Sequence, residues 1–331
     1  MRVEIDYFHS DVKIIYGKYY IAIMKIIFMG SAEFGLPALE MLLSRHEVAA
    51  AVSTPAKPKG RGLKLFDSPV TEFAKSRGID TILTPENLLD NEFIQKLVSL
   101  KPDLFVVVAF RILPKEVFSI PKFGTVNIHA SLLPRYRGAA PIQRAVEAGE
   151  RETGVTVFRI DDGIDTGGII LQKKLSIGGS ETTPELYERL SVTGADALRE
   201  AIDALTGGNF SAAVQNPAEA TRAPKLSRQE GHIDWKLPPA AIFNKIRAFK
   251  PFPGTYFFVK GKRINIEWGE PADCRQNYPA GTVITAKGDN IDVQCGGGVL
   301  RISKVKPEGR PSMDVRAFLS GHNIAEGTIL E

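Results

Sequence analysis

Two short segments carry side chains that could catalyse acyl transfer. Residues 127–134 contain Asn127 and His129, and residues 161–167 contain Asp165. The Asn127 amide can donate an N–H to a developing oxyanion, and the His129 imidazole can accept and return a proton. Asp165 could hold the imidazole in its useful tautomer or stabilise its charge. These residue types favour acyl transfer to an amine, and the chemistry requires neither a metal nor an acyl-enzyme.

From residue 24 onward, the pattern predicts the sheet that would position these segments. A strand over Lys25–Gly30, an amphipathic helix and a strand over Val48–Val52 form a β-α-β unit. Further strands at Leu104–Val108, Thr125–Ile128 and Val155–Phe158 predict an α/β, Rossmann-like domain with a mainly parallel sheet. Ligands bind beyond the carboxyl ends of such strands, and both segments follow strands directly. We therefore expect both segments at that edge.

The rest of the chain predicts a second, smaller domain. A helix from about Pro184 to Leu205 is expected to close the catalytic domain, residues 24–208. Residues 209–230 are polar and rich in Pro and Ala, which indicates a linker. Five short alternating strands within residues 231–331 predict a small antiparallel β-barrel of the OB type.

Residues 1–23 precede the first strand without a matching partner. We expect them to be a poorly ordered extension or an artefact of the assigned start site, with Met24 as the alternative start. The Ile- and Tyr-rich stretch after residue 13 is interrupted by lysines, and no small-residue cleavage site follows it. It therefore predicts neither a signal peptide nor a membrane span.

Composition limits the class of protein. Hydrophobic residues make up 44% and charged residues 24% of the 331 positions, which excludes disordered and fibrous classes. Cys274 and Cys295 lack metal-ligand spacing, so we expect reduced, inert thiols and a cytoplasmic protein.

Positive charge is concentrated in two places. Residues 231–331 hold 14 Lys and Arg against 10 Asp and Glu, so the net charge of +4 arises there. Lys57, Lys59, Arg61 and Lys64 fall within eight residues without an acidic residue among them. A basic loop beside a basic domain favours a polyanionic partner, whose binding should weaken with salt.

Other interpretations of single motifs remain open from the residues alone. An Asn-x-His at a strand end is often a hydrogen-bonded turn, and Asp-Gly pairs also serve as turns and caps. The segment Gly30–Gly35 follows a strand but lacks the middle glycine of a dinucleotide-binding loop, so nicotinamide binding is disfavoured.

Longer motifs resemble the 10-formyltetrahydrofolate-dependent formyltransferase family, from about residue 24 to the end. The matching stretches in order are Gly60–Val70, Asn127–Ile142, Gly154–Val157, Asp161–Gly167, Lys225–Arg228, Ile233–Trp235 and Ile246–Pro253. The resemblance implies that Asn127, His129 and Asp165 are catalytic. It also implies that the basic loop enters the acceptor end of a tRNA, where Arg61 matches the arginine that is important in the loop of the family.

The resemblance also implies a folate site. Its expected residues are Phe110, Ile112, Ser131, Leu132, Leu133 and Pro134. Phe110 and Ile112 belong to the segment Ala109–Pro114, which is one residue shorter here than is usual in the family. In the family, the backbone of this segment lines the pterin pocket. We expect Arg111 to meet the glutamate tail of the folate or an acidic residue of the protein.

The implied function is transfer of the formyl group of 10-formyltetrahydrofolate to the α-amino group of methionine on initiator tRNA. The sequence does not give the oligomeric state, and a monomer is the default expectation. Two alternatives remain. The acceptor could be water, a sugar amine or a nucleotide-precursor amine, none of which requires the basic loop. The chain could also be a catalytically silent RNA-binding protein, against which the intact trio argues.

Overall fold

The computed structural model describes residues 5–8, 11–16, 19–59, 64–207, 211–274 and 277–331. The α-helices in chain order are α1 (Leu36–Arg45), α2 (Pro69–Ser76), α3 (Asn91–Ser99), α4 (Lys115–Phe118), α5 (Pro141–Glu147), α6 (Thr183–Thr206), α7 (Pro239–Ala248) and α8 (Val315–Gly321). Within these described ranges, no helix is both long enough and apolar enough to cross a membrane.

The strands up to residue 176 are β1 (Ile5–Phe8), β2 (Asp11–Tyr16), β3 (Tyr19–Ala22), β4 (Lys25–Gly30), β5 (Glu47–Val52), β6 (Lys57–Lys59), β7 (Lys64–Phe66), β8 (Ile82–Leu83), β9 (Leu104–Val108), β10 (Thr125–His129), β11 (Glu152–Arg159) and β12 (Ile169–Ser176). The later strands are β13 (Thr255–Val259), β14 (Lys262–Ala272), β15 (Val283–Lys287), β16 (Asn290–Cys295), β17 (Gly298–Pro307) and β18 (Met313–Asp314).

The chain divides into two compact units. Unit 1 comprises Met1–Gly138, Glu152–Ser176 and Tyr187–Arg222. Unit 2 comprises Ala139–Arg151, Ile177–Leu186 and Ala223–Glu331. Each unit therefore combines pieces that are distant in the sequence.

Unit 1 is built on a seven-stranded sheet with the strand order β12-β11-β10-β9-β4-β5-β8. The strands from β10 to β8 pair in parallel, and their order reverses at β4, as in Rossmann-like folds. Strand β4 is buried from Ile26 onward because its apolar run is covered on both faces. The predicted Rossmann-like, mainly parallel domain is confirmed.

Strand β11 departs from the expected direction. It pairs antiparallel with β10, with Thr156 opposite His129 and Arg159 opposite Val126. The end of β11 therefore lies beside the first half of β10, and the segment that follows does not start at the edge where His129 lies. The expectation that residues 161–167 follow a strand end at this edge is wrong, although the Asp165 carboxylate does lie beside the His129 ring.

Two smaller sheets belong to the N-terminal part of the chain. Strands β1, β2 and β3 form an antiparallel sheet, and residues 1–4, 9–10 and 17–18 lie outside the described residues. Whether residues 1–23 are an extension or an artefact stays a prediction. Strands β6 and β7 form a two-stranded antiparallel ribbon.

Unit 2 contains an antiparallel sheet with the order β13-β14-β17-β16-β15, to which β18 adds against β17. The chain end connects the two edge strands, because Phe258 N donates to Glu331 O (2.7 Å) and Val283 N donates to Thr328 O (2.8 Å). One apolar core packs this sheet against helices α7 and α8, and it includes Ile242, Ile302 and Phe318. The small antiparallel domain is confirmed, and helix α8 was not predicted.

Unit 1 also contains a histidine whose protonation opposes folding. Burial is the main reason that the pKa of His46 falls from 6.5 to about 4; the Arg45 charge lowers it further, and Asp203 partly offsets both. The Nδ1 atom of His46 accepts a hydrogen bond from Met24 N (3.4 Å), which requires an unprotonated Nδ1. Between pH 6.5 and 4, the unfolded chain therefore binds a proton that the folded chain excludes.

We predict that the melting temperature falls as the pH is lowered from 6.5 towards 4, and that His46→Asn weakens this dependence. The asparagine side chain can still accept the hydrogen bond from Met24 N but does not titrate. Circular dichroism melts across this pH range provide the measurement. Parallel curves for the two proteins would contradict the assignment.

Candidate functional site

His129 is the last residue of β10, and its ring is held at one nitrogen. The Nε2 atom lies 2.8 Å from the carbonyl oxygen of Tyr136. A carbonyl can only accept, so Nε2 must carry a proton, and a neutral ring then has its lone pair on Nδ1. The side chain is 7% exposed, so it is shielded from bulk water.

Asp165 faces the other nitrogen of the same ring. Its Oδ2 lies 3.6 Å from His129 Nδ1, beyond a normal hydrogen bond, and accepts a hydrogen bond from Gly138 N (2.8 Å). The backbone of Asp165 has φ of 55°, a left-handed conformation that aspartate tolerates better than most residues. The Tyr136 carbonyl therefore fixes the tautomer, whereas the carboxylate can stabilise a proton on Nδ1.

Asn127 precedes His129 by two residues, so alternation places both side chains on the same face of β10. It is half-buried, and no hydrogen bond of its amide is found among the described residues, in contrast to His129 and Asp165. An amide donor without a protein partner is available to a developing oxyanion. The structure thus brings together a donor, an imidazole and a carboxylate at one part of the sheet.

Residues 131–134 are held by internal hydrogen bonds. Ser131 Oγ donates to Arg135 O (2.6 Å), and Leu133 N donates to Thr156 Oγ1 (3.1 Å). Gln172 Nε2 in turn donates to Leu133 O (2.8 Å). Ser131 and Leu133 are buried, while Leu132 and Pro134 are half-buried. These hydrogen bonds fix the conformation of the segment. The Ser131 hydroxyl donates its hydrogen bond to the protein itself.

The segment after β9 presents an apolar surface. Ile112 is 76% exposed, which is high for an isoleucine, and Phe110 is half-buried against the core of unit 1. Arg111 differs from expectation, because its Nη1 and Nη2 donate to the carbonyl oxygens of Glu86 (2.8 Å) and Pro85 (2.7 Å). Its guanidinium thus ties two loops together through main-chain groups, and no acidic side chain of the described part accepts from it.

The two ends of the basic loop lie in the β6–β7 ribbon. Lys59 and Lys64 are directly paired across it, and Lys57 is paired with Phe66. Lys57 is exposed. Arg61 lies in residues 60–63, outside the described residues.

Two polar residues that the sequence did not single out connect the site loops. Arg137 donates from Nε (3.1 Å) and Nη2 (2.6 Å) to Gln215 Oε1. Gln215 lies in the stretch predicted as a linker, and it is 5% exposed. The only signal available in the sequence was a glutamine in a polar segment, which does not distinguish a buried contact from a solvated one.

The Rossmann-like sheet, with an amide, an imidazole and a carboxylate grouped beside it, is typical of an α/β enzyme of acyl transfer. The chain belongs to the formyl transferase family: the sequence pattern described as "Formyl transferase" matches residues 24–202, and the pattern described as "Formyl transferase, C-terminal domain" matches residues 225–323. The resemblance drawn from the motifs is thereby confirmed.

Several relatives of similar length share a name. A methionyl-tRNA formyltransferase of Caldanaerobacter subterraneus is 43% identical over 93% of this chain and 100% of its own length. The methionyl-tRNA formyltransferase of Geotalea uraniireducens is 42% identical over 93% of this chain and 98% of its own.

Solved structures share the fold at lower identity. HypX of Aquifex aeolicus, determined with tetrahydrofolic acid, superposes with a TM-score of 0.62 at 18% identity, over 89% of this chain and 47% of its own. An N-formyltransferase of Helicobacter canadensis, determined with folinic acid and dTDP-3-aminofucose, gives 0.64 at 19% identity, over 86% and 100%.

We predict that neutral His129 exists mainly as the Nε2–H tautomer, because the Tyr136 carbonyl can only accept. Nitrogen NMR of protein labelled in histidine distinguishes a protonated from an unprotonated ring nitrogen, and His129→Gln identifies the signals. A neutral ring protonated at Nδ1 would contradict this assignment.

Proposed function

We propose that this enzyme transfers the formyl group of 10-formyltetrahydrofolate to the α-amino group of methionyl-initiator-tRNA, giving N-formylmethionyl-tRNA for translation initiation. The observation that carries the proposal is the Asn127 amide, which has no partner among the described residues, beside an imidazole and a carboxylate in a chain 43% identical to a methionyl-tRNA formyltransferase. This arrangement supports direct attack of an amine on the formyl carbon.

Asn127 acts on the developing negative charge. As the amine adds to the formyl carbon, its carbonyl oxygen becomes an oxyanion and gains strength as a hydrogen-bond acceptor. The Asn127 amide has no competing acceptor among the described residues, so it can donate to that oxygen without first breaking a bond. A preorganised donor of this kind contributes about 10²–10³ in rate.

His129 and Asp165 manage the proton. The attacking α-amino group has a reference pKa of about 7.7–8.0, so a usable fraction is neutral near pH 7. After attack, Nδ1 of His129 takes a proton from the α-amino nitrogen that has bonded to the formyl carbon. It then delivers a proton to the departing folate nitrogen, directly or through water. The carboxylate 3.6 Å away stabilises the ring while it is charged, and the proton on Nε2 stays with Tyr136 O.

The folate donor fits the surface beside β9 and β10. A pterin ring needs flat apolar contact and main-chain hydrogen bonds, and Ile112 exposes its side chain while Phe110 is half-buried beside it. Residues 131–134 shape the site, with Leu132 and Pro134 at its surface. Arg111 fixes the loop through Pro85 and Glu86, so we assign it no contact with the glutamate tail.

The proposal that the formyl acceptor is a tRNA rests on the basic residues of the chain and on its sequence similarity to methionyl-tRNA formyltransferases. Lys57, Lys59, Arg61 and Lys64 would contact phosphates of the acceptor end through their positive charges. The basic barrel of residues 231–331 would extend this contact. A sugar-amine acceptor is the second candidate, but the proteins named for it share only the fold at about one-fifth identity.

The proposal also covers the domain organisation, the location and the oligomeric state of the protein. Residues 24–208 would carry catalysis and 231–331 tRNA binding, with 209–230 between them and residues 213–221 of that stretch packed into unit 1. We further propose a cytoplasmic monomer. Sedimentation at micromolar concentration, with and without tRNA, tests the monomer.

We predict that Asn127→Ala and His129→Ala each slow formylation by about 10²-fold or more, because each removes a group needed only as charge develops. Steady-state kinetics with methionyl-tRNA measure the loss, and circular dichroism checks the fold. The exposed Asn91→Ala on α3 serves as the control and should keep the full rate. A near-normal rate in either site variant would remove that residue from the mechanism.

We predict that Arg61→Ala raises the KM for methionyl-tRNA and leaves folate affinity unchanged, because the loop would contact only the acceptor. Kinetics in low and moderate salt should show that the variant loses part of the salt dependence, since it releases fewer counterions. The exposed Lys96→Ala on α3 should change neither constant. An equal loss of affinity for both substrates would mean that the loop is structural.

A further inference from the structure

The segment 213–221 runs along both loops that form the site. At one end, Ala213 exchanges two main-chain hydrogen bonds with Ile169, each 2.8 Å long. At the other, Thr221 accepts from Tyr136 N at its Oγ1 (2.8 Å) and from Arg137 N at its carbonyl oxygen (2.9 Å). A stretch predicted as a linker is therefore packed into unit 1.

Gln215 lies between these ends and uses its whole amide. Its Nε2 donates to the carbonyl oxygens of Asp165 (2.9 Å) and Gly167 (2.8 Å), and its Oε1 accepts from Nε and Nη2 of Arg137. Both donors and the acceptor are thus satisfied in a side chain that is 5% exposed. Buried amides satisfied at both ends hold their partners in fixed positions.

The two segments that Gln215 joins are those that place the catalytic groups. Residue Asp165 faces His129, and its turn follows a strand that ends beside the first half of β10, so no strand end delivers it to the histidine. The neighbours of Arg137 complete the geometry, because Gly138 N holds the Asp165 carboxylate and Tyr136 O holds the His129 ring.

We infer that Gln215 is a positioning residue for formyl transfer, which holds the Asp165 turn against residues 136–138 and so sets the carboxylate opposite Nδ1 of His129. It touches no substrate and acts through Asp165. The inference rests on the roles proposed above for His129 and Asp165. The segment 213–221 is accordingly part of the catalytic unit.

Two substitutions separate the ends of the amide. Gln215→Glu keeps an acceptor for Arg137 but loses the N–H groups that hold Asp165 O and Gly167 O, and Gln215→Met removes all four hydrogen bonds at similar size. We expect kcat to fall by about ten- to a hundredfold in both, as expected for a misplaced catalytic group. The KM values for both substrates should change by less than about threefold, because Gln215 makes no contact with either substrate in this assignment. Val214→Ala, at a neighbouring residue that is 93% exposed, should behave as wild type.

A double-mutant cycle distinguishes positioning from general stability. If Gln215 acts through the Asp165 carboxylate, Gln215→Met should cost little further rate in an Asp165→Asn background, because the group that it positions has already lost its charge. A merely structural role would give the same fold-loss in both backgrounds. Gln215→Glu supplies the same cycle if the methionine variant does not fold.

The ring nitrogen signals of His129 give a readout that needs no substrate. They should shift in Gln215→Met and Gln215→Glu and stay unchanged in Val214→Ala. Unchanged signals with kcat within twofold of wild type, or a fully additive cycle, would overturn the inference. Failure of the wild-type enzyme to formylate methionyl-tRNA would instead count against the proposed function, and the ring signals would still decide whether Gln215 sets the geometry.

Discussion

The antiparallel direction of β11 is the constraint on which the site depends. Because β11 ends beside the first half of β10, the turn that carries Asp165 has to return to reach His129. The approach of the two side chains, 3.6 Å between Oδ2 and Nδ1, is therefore maintained by contacts made after the strand ends. Gly138 N and Gln215 supply those contacts, and a segment more than forty residues further along the chain becomes part of the site.

The site combines groups that are fully held with one that is left free. The His129 ring is fixed at Nε2 by a carbonyl, and the Asp165 carboxylate is fixed by a main-chain N–H, so neither needs to reorganise when charge moves. Asn127 has no such partner among the described residues and remains available to the substrate oxygen. Preorganised dipoles beside a free donor are what stabilisation of a short-lived oxyanion requires.

Much of the fold was predictable from local pattern. The predicted strands Lys25–Gly30 and Leu104–Val108 match β4 and β9 because long apolar runs in a covered sheet have few alternatives. Asn127 and His129 lie two residues apart, so the alternation of a strand is enough to put both on one face of β10. The direction of β11 could not be predicted, because alternation is the same in parallel and antiparallel strands. Gln215 was missed because its partners are main-chain carbonyls and a distant arginine. The main-chain contacts of Arg111 were not foreseen either, because main-chain acceptors leave no trace in the sequence.

The most direct test of the central claim is to follow the formyl label in a single reaction. The protein would be incubated with 10-formyltetrahydrofolate labelled in its formyl group, together with methionyl-initiator-tRNA and dTDP-3-aminofucose at equal concentration. We predict label on the methionine nitrogen of the tRNA, at a rate that Asn127→Ala lowers by about 10²-fold or more. Label on the sugar amine or in free formate, with none on the methionine, would contradict the account.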